Sequence, residues 1–263
     1  MPGSGGGNRP SQAFRVAARP SGTLFRITGV GTFNLHAGGI TYWAAAACPA
    51  DVLAQFIAGP VFGLWLEVHG HVVLHGAALL VRETGVAILA HGGTGKSTLA
   101  AALVHRGATL LTDDQVVLAS GGGGLMVQPG RAQLKLWPDA CQRLGLATAH
   151  FRPVHSHTEK LVVPLAPTHV TTTPVPLTRI VLLQRAGGAG PISVRPLSKP
   201  DAVREVVQCS AAPRMVEALG LHRRRFPVIA NVVNQTTVVR LTFSTAVSTP
   251  DDVAAALEAL CQA

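Results

Sequence analysis

Residues 84–114 read TGVAILAHGGTGKSTLAAALVHRGATLLTDD, and the fold is decided there. Gly85 opens a short apolar run, Val86-Ala87-Ile88-Leu89-Ala90, whose length and branched residues suit a buried strand. A glycine-rich turn follows, His91-Gly92-Gly93-Thr94, and then Gly95-Lys96-Ser97-Thr98. Ser97 to Arg106 is rich in Ala and Leu, with Leu99 and Leu103 four apart on one helical face. Gly107 is a helix stop. Ala108 to Thr112 reads as a second strand, delivering Asp113-Asp114 at its end.

Strand, glycine-rich turn, Gly-Lys-Ser, helix is the context of a P-loop. The glycines Gly92, Gly93 and Gly95 let the backbone curl so that several N–H groups, with those of Thr94 and Thr98, face one phosphate. The helix N-terminus adds partial positive charge at the same place. Lys96 reaches β- and γ-phosphates as a point charge, and Ser97 offers its hydroxyl to magnesium. Ala90 stands where the usual pattern has its first glycine, which raises the question of an altered turn.

The acidic pair supplies the other half of such a site. A carboxylate at the end of a strand beside the P-loop strand holds magnesium directly or through water. Neighbours on an extended chain point opposite ways, so one carboxylate can hold metal while the other takes a proton from an attacking hydroxyl. The competing reading is a solvated turn.

The chain of 263 residues is 48% hydrophobic, enough for one large core. Its formal charge is +9, from 22 basic and 13 acidic residues. That balance suits a nucleotide and an acidic partner. No aromatic interleaving or recognition motif supports nucleic acid. Cys48, Cys141, Cys209 and Cys261 stand alone, without metal-site spacing, which fits a reduced cytoplasmic setting. No signal peptide is read at the N-terminus, and no uninterrupted apolar run reaches membrane-spanning length.

Residues 1–12 read as a flexible tail. Residues 13–68 read as an N-terminal β/α extension: strands near Phe14–Val16, Thr23–Thr28, Phe33–Leu35 and Ile40–Trp43, then a helix capped by Asp51 and broken at Gly59-Pro60, then a second helix over Val61–Val68. Residues 69–263 read as the nucleotide-binding part. His75-Gly76 interrupts an apolar strand. His69, His71 and His75 lack the partners of a zinc set. Leu125–Val127 and Gln133–Trp137 are expected to pair across Pro129-Gly130, and Pro138-Asp139 to open a helix to Leu146. For Lys135 and Lys160 two readings stand, substrate contact or a solvated strand charge. His150–His157 reads as a loop placed for a lid. His222-Arg223-Arg224-Arg225 reads as a solvated basic face.

The combination His75-Gly76, the loop Ala90–Ser97, Arg106-Gly107 and Asp113-Asp114 resembles the catalytic core of the HPr kinase/phosphorylase family. It is nearer still to short HPr-kinase-like proteins such as lasso-peptide precursor kinases. The fifteen positions from His75 to Ala90 and the sixteen from Ser97 to Asp113 match the family without a gap. The resemblance implies an α/β fold of HPr-kinase type, a mixed sheet with flanking helices, preceded by a small antiparallel layer. It implies Asp113 as general base, Asp114 with Ser97 as metal ligands, and His75 near the reacting phosphate. The cofactors it implies are ATP and Mg2+, with Mn2+ as an alternative. The chain departs from the family at Ser120-Gly121-Gly122-Gly123-Gly124, where the bifunctional members carry a further signature, so neither phosphorylase activity nor HPr as acceptor is carried over.

The expected function is therefore transfer of the γ-phosphoryl of ATP to a Ser or Thr hydroxyl of a peptide or small protein, including a lasso-peptide precursor. A sugar or alcohol kinase, and a non-catalytic nucleotide-binding switch, are the alternatives. An oligomer is compatible with the sequence.

Overall fold

The computed structural model describes residues 14–121, 124–131 and 133–262. The expected tail over residues 1–12 lies outside them, as do two glycines of the four-glycine run. Four strands come first: β1 (Phe14–Arg19), β2 (Gly22–Ile27), β3 (Gly31–His36) and β4 (Gly39–Ala44), an antiparallel meander in sequence order. Phe25, Ile27, Phe33 and Leu35 alternate onto its buried face, as a one-sided sheet requires. There they pack with Val61, Leu64 and Met215.

Helix α1 (Ala50–Phe56) passes through a π turn (Ile57–Val61) into α2 (Phe62–Val68). Gly59 leaves helical space (φ −109°, ψ −108°) and Pro60 removes a donor, so the helix kinks there and continues. Asp51 is not the cap. Pro49 holds that position without a side-chain bond, and Asp51 lies in the first turn. Its carboxylate instead accepts from the Ser156 N–H at 2.6 Å, tying α1 to a distant loop. By length and composition alone, Ala50–Val68 is one helical segment apolar enough to cross a membrane. Counting uninterrupted apolar residues misses it because Asp51, Gln55 and Glu67 interrupt the run.

The chain continues with β5 (Val72–Val81), β6 (Thr84–Leu89), α3 (Lys96–His105), β7 (Thr109–Gly121), β8 (Gly124–Gln128), β9 (Leu134–Leu136) and α4 (Pro138–Arg143). Then come β10 (Arg152–Pro153), β11 (Leu161–Val163), β12 (Val175–Arg185), β13 (Ser193–Pro196), α5 (Lys199–Gln208), α6 (Pro213–Ala218), α7 (His222–Gln235), β14 (Thr237–Phe243) and α8 (Pro250–Leu260). Seven strands form a mixed sheet in the order β13-β14-β12-β6-β5-β7-β8, with β6, β12 and β14 parallel. Apolar residues of α3 and α8 cover one face, and those of α5 and α7 the other.

Three expectations change here. The acidic pair lies within one long strand, β7, and β5 stands between β7 and β6. The pair still reaches the right height: Gly76 of β5 faces Leu89 on one side and Asp114 on the other. Residues 125–127 and 133–137 do not pair with each other. Leu125 and Val127 bury on one face of the main sheet and Leu134 and Leu136 on the opposite face, so β8 joins β7 while β9 joins β11. Helix α4 stops at Arg143 because Gly145 turns the chain with φ +66°.

The basic cluster is exposed at His222, Arg223 and Arg224, and is corrected at Arg225 alone. Arg225 is buried, its Nε 3.1 Å from Glu67 Oε2 but not aligned as a hydrogen bond, and its Nη1 donates to Ser210 Oγ at 3.0 Å. Glu67 Oε1 accepts from the Val73 N–H at 2.9 Å. Arg224 donates to the Glu67 carbonyl. This buried pair joins α2, α7 and β5.

Candidate functional site

The turn from Ala90 to Gly95 joins β6 to α3. Gly93 (φ +80°) and Gly95 (φ +112°) occupy the left-handed region, where a side chain would strain the backbone. Ala90 needs no such freedom: it is a buried residue without positive φ, so replacing the first glycine of the pattern leaves the turn intact. Lys96 is buried at the start of α3, and its ammonium donates to the carbonyls of Ala90 (2.9 Å) and His91 (3.2 Å). Burial holds its pKa below the ordinary lysine value, against the pull of Asp113 and Asp114. The Thr94 hydroxyl donates to the His91 carbonyl at 2.9 Å and stiffens the turn.

Ser97, one residue into α3, donates its hydroxyl to Asp113 Oδ1 at 3.0 Å. The other oxygen of Asp113 accepts from the Lys135 N–H at 3.2 Å. Asp114 has φ +76°, a strained value for a non-glycine residue. That break in the extended backbone undoes simple alternation, and both carboxylates meet Lys135. The Lys135 ammonium pairs with Asp114 Oδ2 at 2.8 Å.

Burial, then the neighbouring charge of Asp114, raises the pKa of Asp113 to about 6. Burial pushes the same way on Asp114, but Lys135 and Lys160 outweigh it and hold that carboxyl below its ordinary value. The two carboxylates thus separate: one near neutrality, one firmly ionised.

His75 projects from β5 beside them. Its Nδ1 lies 3.1 Å from the Asp114 carbonyl. A carbonyl only accepts, so Nδ1 carries the proton and Nε2 keeps its lone pair. Burial, then Lys96, lowers the His75 pKa, which favours the neutral ring. The glycine after it has a steric cause: a Cβ on Gly76 would stand 2.6 Å from the Ile88 carbonyl oxygen. The backbone N–H of His75 donates to the Cys209 carbonyl at 2.7 Å, fixing the strand from the other side.

Three clefts meet here. One, of 260 Å³, runs along Gly93–Thr98 past His75, Asp114, Lys135 and Lys160 to Arg143 and Arg185. A second, of 400 Å³, lies on the far side of His75, Asp114, Lys135 and Lys160, with Gln55, Phe56, Pro60 and Thr158 on its other wall. A third, of 240 Å³, continues from Thr94, Gly95 and Thr98 between apolar walls of Leu99, Leu183, Phe243 and Val253. Lys135 on β9 and Lys160 just before β11 come together because those strands pair, Lys135 opposite Val162.

The residues expected at the site from the sequence line these clefts, save Gly92 and Asp113; Asp113 is buried behind the wall, reached through Ser97 and the Lys135 N–H. Arg185 is an addition. At the end of β12 its guanidinium donates to the Gly93 (3.2 Å) and Thr94 (3.3 Å) carbonyls. Its signal was positional, since β12 is parallel to β6 and ligands gather outside the carboxyl ends of such strands. Arg143 and Trp137 had no signal of their own.

The oxygen donors fit a hard divalent cation. Ser97 and the Asp114 carboxylate both line the cleft along the glycine-rich turn, and magnesium is commonly held by one or two protein oxygens plus phosphate oxygens. Among the described residues no group of three or more His, Cys, Asp or Glu could hold a metal without such help.

The arrangement defines a crevice lined by Lys96, Lys135, Lys160, Arg143 and Arg185 on a mixed α/β sheet. No protein-family model matches the chain, and no curated protein matches it. Among solved structures the chain is similar to the HPr(Ser) kinase/phosphatase from Coxiella burnetii, at 15% sequence identity and a TM-score of 0.38. The alignment covers 72% of this chain and 93% of that one. At that level the likeness assigns no role to any residue.

Proposed function

We propose that this protein is a P-loop kinase that moves the γ-phosphoryl of ATP to a hydroxyl, with a Ser or Thr of a peptide or small protein as acceptor. The observation that carries the reading is the meeting of two clefts at one wall of His75, Asp114, Lys135 and Lys160, with the Lys96 turn on one side only. Phosphoryl transfer needs donor and acceptor brought in line from opposite sides. In this reading the 260 Å³ cleft takes the phosphates and the apolar 240 Å³ cleft the base. The 400 Å³ cleft takes the acceptor.

When bound, Mg2+ with ATP supplies charge neutralisation at the phosphates, held by Ser97 and Asp114. The chain's own residues do the rest. The amides of Gly93 to Ser97 and the Lys96 ammonium orient the phosphates, together with Arg185. Asp113, with a pKa near 6, takes the proton from the acceptor hydroxyl at neutral pH. Its sign is that of a base: turnover rises with pH through about 6 and levels off above it. His75 Nε2 remains an acceptor beside the transferring group. A peptide-sized acceptor is supported by the 400 Å³ volume of the second cleft and by its outer wall on α1, which a small sugar would not fill.

One observation favours a second reading. The Ser97–Asp113 hydrogen bond is the contact of a carboxylate serving the metal, and in a switch module Asp113 would have that task alone. Incubation with ATP and Ser-containing peptides, read by the mass gain of about 80 Da that phosphorylation adds, separates the two. Asp113→Asn should lower turnover about 10²-fold or more with ATP still bound. Unchanged turnover would remove Asp113 as the base. No mass gain on any peptide, with ATP bound, would leave the switch or a kinase for a sugar or alcohol.

A further inference from the structure

The four-stranded meander turns one face to solvent, and that face is built from an unusual row. Strand registers place Arg15 opposite Arg26, Arg26 opposite Thr32, and Thr32 opposite Trp43. Residues facing each other across paired strands lie on one face. The partners one position away, Phe25 and Phe33, are fully buried, so Arg15, Arg26, Thr32 and Trp43 face outward. Arg19 shares that face by alternation from Arg15. Trp43 keeps 58% of its surface exposed.

Two like charges directly opposite on neighbouring strands are unfavourable, and nothing nearby offsets these. The first fifty residues hold four arginines and no Asp or Glu. Among the described residues Arg15, Arg19 and Arg26 form no ion pair. The first carboxylate of the chain, Asp51, is engaged by Ser156.

We propose that this face docks an acidic, extended segment of a polypeptide, laid across the strands along the Arg15–Trp43 row. The geometry suits that partner. Four strands span about 14 Å, the length of about four extended residues. Carboxylates two positions apart on such a segment lie about 7 Å from each other, within reach of two neighbouring guanidinium forks. Trp43 at the far end receives an apolar side chain. Single-stranded nucleic acid is the poorer fit, because stacking platforms present several aromatic rings and this row has one. Five residues join strand β4 to α1, whose Gln55 and Phe56 wall the 400 Å³ cleft, and on the kinase reading the docked segment is a part of the acceptor. For the partner's identity the inference rests on the kinase reading; the binding does not.

The test is fluorescence anisotropy of the full chain with a fluorescein-labelled peptide of alternating Glu and Gly carrying one Leu and one Ser, at low and high salt. A matching Lys peptide, a single-stranded RNA oligonucleotide and phosphatidylserine vesicles are run beside it. The wild-type chain should prefer the Glu peptide. Arg15→Gln with Arg26→Gln should weaken that binding about five-fold, as two exposed charge pairs would. Trp43→Ala should weaken it further. Unfolding of the Arg variant should be unchanged or improved, since a repulsive pair is removed. Equal binding by the Arg variant overturns the proposal, as does a wild-type preference for RNA or vesicles. ATP turnover separates the two claims: loss of turnover in Lys96→Ala with Glu-peptide binding kept leaves docking standing, whereas normal turnover without Glu-peptide binding removes docking alone.

Discussion

Asp113 concentrates the conflict between folding and chemistry. Its folded pKa of about 6 lies above the ordinary 3.8, so the folded state favours the protonated form. The stability Asp113 contributes is full below the ordinary carboxylate value, falls as pH rises to about 6, and stays low above that. Above pH 6 the buried charge costs the fold about 3 kcal/mol. Asparagine fits the same contacts, with its oxygen accepting from the Lys135 N–H and its amide donating to Ser97 Oγ. Asp113→Asn should therefore raise the melting temperature at pH 8 by roughly 3–6 °C, and leave it nearly unchanged at pH 4. Thermal unfolding at the two pH values checks it, and a fall at pH 8 would contradict the assignment. At this scale the sequence was partly legible. The spacing of Lys96, Ser97 and the acidic pair carried the site because glycine and lysine have few other uses in such a turn. Arg225 was not legible, since a run of basic residues looks solvated until its partner Glu67, 158 positions away, is seen to be buried. Asp51 was misread for the reverse reason: aspartate at a helix start suits a cap, and Ser156 claims it from outside the helix.

Among elements, β5 is the keystone. It carries His75 between the strands of the glycine-rich turn and the acidic pair, and its neighbours hold it at several points. Glu67 accepts from the Val73 N–H, Val73 accepts from the Ala211 N–H, and Cys209 accepts from the His75 N–H. The Glu67–Arg225 pair anchors that set. Burial raises the Glu67 pKa against the pull of Arg225, and Arg225 is lowered by the same burial. A buried pair is weak evidence of net stability, but losing one partner strands the other. Arg225→Ala should cost about 3–5 kcal/mol, and Glu67→Gln with Arg225→Met should recover much of it. Urea unfolding midpoints of the three proteins decide the matter; equal loss in the single and double variants would mean that packing, not charge, is at stake. Short apolar runs rich in branched residues made β5 and β6 readable. The pairing of β8 and β9 was not, because each is a short apolar run and only the two opposite cores assign them to different sheets.

For the molecule as a whole, three clefts joined in series by shared walls lead from the apolar pocket under Phe243 to the wall of α1 and its π turn. The order of parts along the chain gave no hint of that series, since its walls come from residues as far apart as Gln55 and Val253. On the kinase reading, Mg-ATP binds the folded form alone and must stabilise it. At a hundred times the dissociation constant the gain is about 2.7 kcal/mol, visible as a rise in melting temperature that Lys96→Ala abolishes. A rise of equal size in that variant would move the nucleotide elsewhere. The tether of the Lys96 ammonium to the Ala90 and His91 carbonyls has one more result. Before any guest arrives, that cation is already satisfied by its own backbone. An uncharged visitor gives it no reason to let go, while an anionic one draws it out. On the kinase reading, the turn screens by charge first and by shape second.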